Sequence, residues 1–174
     1  MKVSIKITNG KKIVAQLGHY KKDMTTRSAV QALTRAAKTV EREAVKELPY
    51  IPFDLGNLQA SLFITNINGP AKSNDLAVFT GKKAEEMTSR HTRIIEEMTA
   101  KCKANKNPMV ILGHTANYAV VVHEMGIDPP REINWSKKGS GPKWLEIAVN
   151  NKRADITRIM KKELKGGKGQ KQIV

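Results

Sequence analysis

"NYAVVVHEMG", residues 117–126, decides how much sheet this chain contains. From Tyr118 to Val122 it is a continuous, β-branched apolar run, which reads as a short buried strand, although the same run could begin as a helical turn. His123 and Glu124 stand where the apolar sequence ends. There they are placed to hydrogen-bond the following loop or a neighbouring subunit. Just upstream, residues 109–112 form a second apolar run of the same kind.

Further upstream, "YIPFDLGNLQASLFITNING" (50–69) begins with prolines that force extended backbone and passes through an Asp-Leu-Gly-Asn turn. In that turn Asp54 can accept from backbone amides, Gly56 permits the tight backbone and Leu58 returns to the core. A β-prone run follows at 61–67. Gly69-Pro70 and Ser73-Asn74-Asp75 then read as a turn into a partner strand at 76–80, making a hairpin.

Three long segments carry helical periodicity. Over 25–48, Val30, Leu33, Ala37, Val40, Ala44 and Leu48 fall on one face, with Thr25 or Thr26 as cap and Pro49 as stop. Another face carries Arg27, Gln31, Arg35, Lys38, Arg42 and Lys46. This ridge is either a solvated face or a surface for phosphate or an acidic partner. Over 83–104 the stripe is Met87, His91, Ile94, Ile95, Met98 and Cys102. The last helix, 142–164, turns Leu145, Ala148, Val149, Ile156, Ile159 and Met160 inward, broadened by Trp144 and Ile147, with Lys152 snorkelling at its edge. At the N-terminus Val3, Ile5 and Ile7 alternate with polar residues as a strand ending at Asn9-Gly10, and a short helical piece spans 11–17. The expectation is an α+β fold. A small, mostly antiparallel sheet packs against the long N-terminal helix and the C-terminal helix, with an extra helical segment around 83–104. Residues 1–165 form one domain and 166–174 a flexible basic tail.

With 174 residues, 40% hydrophobic and 27% charged, the composition is that of a globular domain. The alternating N-terminus lacks the apolar core of a secretory signal, so the expected compartment is the cytoplasm of the producing cell, with no membrane partner. A lone cysteine excludes an intrachain disulfide. Thirty-one Lys and Arg against sixteen Asp and Glu, a net charge of +15, favour a polyanion or an acidic protein surface as partner. Only 5% of residues are aromatic, too few for a base-stacking platform, so contact with nucleic acid would be to backbone phosphate.

Motifs for chemistry are missing. There is no pair of histidines four apart around a glutamate, no nucleophile elbow, no phosphate-cradling loop and no dinucleotide fingerprint. A metal site made of His114, His123 and Glu124 is the weakest reading, because such a trio is common by chance. Glu85-Glu86 and Glu96-Glu97 are sequence neighbours on a helix and diverge. Neither enzymatic activity nor a cofactor is expected.

Three stretches in order, "FDLGNLQASL" (53–62), "YAVVVHEMG" (118–126) and "GSGPKWLEIAV" (139–149), resemble the tail-component family of tailed bacteriophages. These are small neck, tail-completion, head-tail connector or minor capsid proteins. That family's Asp-Thr-Gly-x-Leu-x-x-Ser turn matches Asp54, Gly56, Asn57, Leu58 and Ser61, with Leu55 in place of threonine. Its Tyr-Ala-x-x-Val segment matches Tyr118, Ala119, Val122, His123, Glu124 and Gly126. Its last-helix motif matches Lys143, Trp144, Leu145, Glu146 and Ala148. The helix at 83–104 is longer than the family's usual connection.

The resemblance implies a virion protein at the head-tail junction, assembled in the host bacterial cytoplasm. It would form a closed ring of about six or twelve copies around the DNA channel. Portal, stopper and tail-tube proteins would be its neighbours, and double-stranded DNA would pass through by non-specific contact. The subunit or partner interface would draw on Asp54, Gly56, Asn57, His123, Glu124, Gly126, Arg131 and Trp135. DNA or an acidic partner would meet Arg27, Arg35, Lys38, Arg42, Lys46, Lys165 and Lys168. The alternatives are a free nucleic-acid-binding module without sequence preference and a minor capsid protein.

Overall fold

Helix α1, Thr26–Lys46, is built on small residues. Ala29, Ala32, Ala36 and Ala44 are buried with Val30 and Val40, and a stripe of alanine favours the helix while letting neighbours approach closely. In this computed structural model, which describes residues 26–53, 55–71, 77–125 and 135–166, α1 packs against the sheet and also against the C-terminal helices. The helix ends at Lys46, and Leu48, expected on the inner face, is 62% exposed.

Short helix α2, Asn57–Ala60, leads into β1, Leu62–Asn66. With β2, Gly69–Pro70, and β3, Val110–His114, this strand makes an antiparallel sheet of order β2-β1-β3. Leu62 is opposite His114, and Asn66 opposite Val110. The hairpin is tighter than the sequence suggests. β1 reverses at once, pairing Asn66 with Gly69 and Thr65 with Pro70, and residues 77–80 form no strand. Gly69, at φ +110°, supplies a backbone conformation that few other residues adopt.

Every residue of β1 is buried, because the strand is covered on both faces. Towards α1, the Asn66 amide donates to Thr34 Oγ1 at 3.1 Å. Towards helix α3, Ala84–Ala104, the Thr65 and Thr99 hydroxyls share a bond of 2.5 Å, and Cys102 is fully buried. The helical segment expected as an addition is thus the layer that makes β1 central.

The run at 118–122 is helical, not a strand: α4 spans Ala119–Glu124. The chain leaves the sheet at Thr115, whose N–H bonds Ser61 O, and turns so that Ala119 is buried while Val121 is 61% exposed. Tertiary context has overridden a weak β preference. The expected single C-terminal helix is also two, α5, Trp144–Asn151, and α6, Arg153–Gly166, with Lys152 at the joint. Both pack on α1, and α5 also reaches the end of β3 through Trp144 and His114. Their joint sits over the buried carboxylate of Glu43, which accepts from Lys152 Nζ at 3.0 Å and Asn151 Nδ2 at 3.3 Å. Lys152 is therefore paired, where sequence reading had it snorkelling.

The core gathers Val40, Ala44, Leu58, Leu62, Trp144 and Ala148. The expected strand over 3–7 with its Asn9-Gly10 turn, the helical piece at 11–17, the turn at 73–75 and the tail lie outside the described residues.

Candidate functional site

The three stretches that carry the resemblance meet at Trp144. Its side chain is 1% exposed, and a buried indole needs an acceptor for its N–H. His114, the last residue of β3, provides one: Trp144 Nε1 donates to His114 Nε2 at 3.2 Å. An indole can only donate, so His114 Nε2 carries no proton and the imidazole is the Nδ1–H tautomer. That proton faces Leu58 O at 2.9 Å and Ser61 Oγ at 3.1 Å, while the Ser61 hydroxyl donates to Leu58 O at 2.7 Å. The end of the first motif, the edge of β3 and the start of α5 are thereby tied into one polar chain inside the core.

The second motif closes on the same tryptophan. His123 lies edge-on to Trp144, centroids 4.7 Å apart, and its carbonyl accepts from Lys143 N at 2.9 Å. Lys143 has φ +58°, a left-handed conformation that costs a non-glycine residue about 1–2 kcal/mol. Its ammonium reaches Glu124 Oε2 at 2.5 Å and Glu146 at 3.3 Å, and Glu124 Oε1 is 2.8 Å from His123 Nδ1. Hydrogen bonds from Lys143 and then His123 hold the Glu124 carboxyl below the usual range, and the bond to Glu124 raises the Lys143 ammonium. Glu124 therefore adds stability above its unfolded-state value and loses it as pH falls through the lowered one. Both groups are partly exposed, so the gain is small. His123 Nε2 is buried with no hydrogen-bond partner among the described residues.

Gly56 and Asn57 serve the other side of α2. Gly56 has φ +78°, and a side chain there would come within 3.1 Å of Phe53. Asn57 pairs with the backbone as a strand would, donating from Nδ2 to Thr80 O at 2.9 Å and accepting from Thr80 N at 2.8 Å. Residues 77–80 are held by this amide, by the Thr80 hydroxyl donating to Leu55 O at 3.1 Å and by the buried Phe79 ring against His91, instead of by the sheet. Beside it Leu55 and Val78 are 59% and 74% exposed. Trp135 is half-buried, and Asp54, Gly126 and Arg131 lie outside the described residues.

The basic ridge points away from the core, opposite the alanine stripe of α1. Arg27, Arg35, Arg42 and Lys46 are exposed, and Lys38 is half-buried. Arg35 is ion-paired with Glu163 of α6. Lys165 falls within α6 with its side chain outside the described set, as is the whole of Lys168. The described residues of the ridge, Arg27, Arg35, Lys38, Arg42 and Lys46, do not join the cluster around Trp144.

Ser61 and His114 stand at a distance suited to a nucleophile and its base. Yet the serine is fully buried, its proton goes to Leu58 O, and His114 Nδ1 is itself the donor. As arranged, the pair fastens a turn. His114 spends both nitrogens on protein partners, and the described residues hold no group of three His, Cys, Asp or Glu arranged for a metal. Sequence reading placed Lys143 in the last-helix motif but gave it no role, because that role depends on a positive φ that nothing in "GSGPKW" announces. It also missed the Trp144–His114 bond, for which the signal was available: a tryptophan on an apolar helix face implies an acceptor nearby. Comparison with family models, curated proteins and solved structures finds no match.

Proposed function

We propose that the chain is a structural subunit of the head-tail connector of a tailed bacteriophage, in a neck or tail-completion ring that joins the portal side to the tail and surrounds the DNA channel. One observation carries this reading. The three stretches whose ordered set resembles the tail-component family are far apart in sequence, yet they converge on Trp144 through the Leu58 carbonyl, the rings of His114 and His123, and the backbone bond from Lys143 to His123. Motif residues that brace one another across a fold suit a protein whose work is to hold shape. The exposed apolar side chains support it too: Phe53, Leu55 and Val78 near α2, and Tyr118, Val121 and Met125 along α4, are the kind of surface that neighbouring subunits cover.

The test is immunogold electron microscopy of particles from cells making this protein. Label at a single point between head and tail is the expected result. Label over the shell moves the role to minor capsid protein, and the absence of labelled particles sinks the virion reading. A free nucleic-acid-binding module is the second reading, favoured by the basic ridge; it requires duplex binding by the isolated monomer at physiological salt.

A further inference from the structure

Two antiparallel helices, α1 and α6, lie side by side and present one basic surface. The groove between them, of about 310 Å³, is lined by Arg42 and Lys46 from α1 and by Lys152 and Arg158 from the joint and α6. Glu43, Glu47 and Asp155 also line it; Glu43 and Asp155 are already paired, with Lys152 and Arg158 respectively, which leaves the exposed Glu47 as one carboxylate against the cations Arg42 and Lys46. Arg42, Lys46 and, further along α6, Lys162 are exposed and make no ion pair with a described residue.

We infer that this two-helix face binds the backbone of double-stranded DNA, through phosphates and without reading bases. It deepens the connector reading by naming the surface that meets the duplex, and it rests on that reading for the choice of partner. Charge alone would admit an acidic protein, but the composition of the face argues against one. Among the residues whose side chains are described, the exposed large apolar ones, from Leu48 and Phe53 to Val121 and Met125, lie off α1 and α6. A stable protein interface centres on buried apolar or aromatic anchors, whereas a phosphate contact needs only the cation. Length fits as well: the 21 residues of α1 extend about 31 Å, close to one turn of B-DNA at about 34 Å.

The experiment is a fluorescence-anisotropy titration of the full chain with a labelled duplex of about 30 base pairs and arbitrary sequence, at several salt concentrations. Wild-type affinity is expected to fall about a hundredfold or more between about 50 and about 200 mM salt. The triple variant Arg42→Glu, Lys46→Glu, Lys162→Glu should lose at least about tenfold at low salt, with a salt slope reduced by about one per lost contact. A control triple of equal charge change on exposed lysines outside this face, Lys82→Glu, Lys101→Glu, Lys106→Glu, should stay within about threefold of wild type. Thermal melts confirm that each variant is folded, and the milder pair Arg42→Gln, Lys162→Gln repeats the test with less perturbation. No duplex binding at low salt, or equal losses in both triples, overturns the inference. Tighter binding to polyglutamate than to duplex, lost in the same triple, also overturns it and moves the partner to an acidic protein. Immunogold position does not depend on which face meets DNA, so either reading can fail while the other stands.

Discussion

Trp144 makes two kinds of contact that substitution can separate. Its ring fills the core between α1, α4 and β3, and its N–H satisfies His114. Trp144→Ala removes both and should cost about 3–5 kcal/mol. Trp144→Phe keeps most of the volume but leaves His114 Nε2 buried without its donor, which should cost about 1–3 kcal/mol beyond the small volume change. Urea unfolding monitored by circular dichroism measures both. A phenylalanine variant as stable as wild type would mean that the Trp144–His114 bond contributes nothing net, and the polar chain from Leu58 to Trp144 would lose its structural meaning. The tryptophan itself was legible as core from its place on an apolar helix face. Its histidine was not, because thirty residues separate the two.

At the scale of elements, the C-terminal segment shows a limit of periodicity. Its apolar spacing continues smoothly from Leu145 to Met160, yet the helix is broken at Lys152. The break belongs to α1, whose Glu43 is buried at a position where an ammonium and an amide must reach it. The hydrogen bond and charge of Glu43 raise the Lys152 ammonium above its ordinary value. A group whose folded-state value is raised contributes stability that is full below the unfolded value, about 10.4 for lysine, and is lost as pH rises through the folded one. Lys152→Met should therefore lower the melting temperature at pH 8, and its difference from wild type should shrink as pH rises past the unfolded-state lysine value. A difference that stays constant across that range would show that the side chain stabilises through packing alone. A separate side chain, Asn57 of α2, accounts for the misread edge of the hairpin by binding the backbone of Thr80. Side chains outside the strands, Asn57 there and Glu43 here, take over backbone or helix-end duties that a local reading assigns to regular structure.

For the whole molecule, Cys102 reports how firmly the layers hold together. Its thiol is fully buried between α3 and β1, and burial raises it above the ordinary thiol value, so little reactive thiolate is present near neutral pH. Reaction with a disulfide reagent should be at least about a hundredfold slower in the native protein than in denaturant, and should follow opening of α3 from the sheet. Labelling at the free-thiol rate would mean that α3 is not a permanent layer.

Long periodic segments and composition determined much on their own. The amphipathic faces of α1 and α3, the β-prone run at 61–67, the turn at Gly56 and the excess of positive charge are local properties, and physical chemistry acting over a few residues is enough to place them. Only the tertiary structure decided whether 118–122 was strand or helix, where the last helix breaks, which segment pairs with β1, and that α6 sets its basic side next to the ridge of α1. Those outcomes depend on partners distant in sequence: Trp144 packing against His123, Glu43 calling in Lys152, Asn57 holding Thr80 and Arg35 pairing with Glu163. A buried polar group must find its complement wherever the chain brings one, and that requirement is written in no single stretch of sequence.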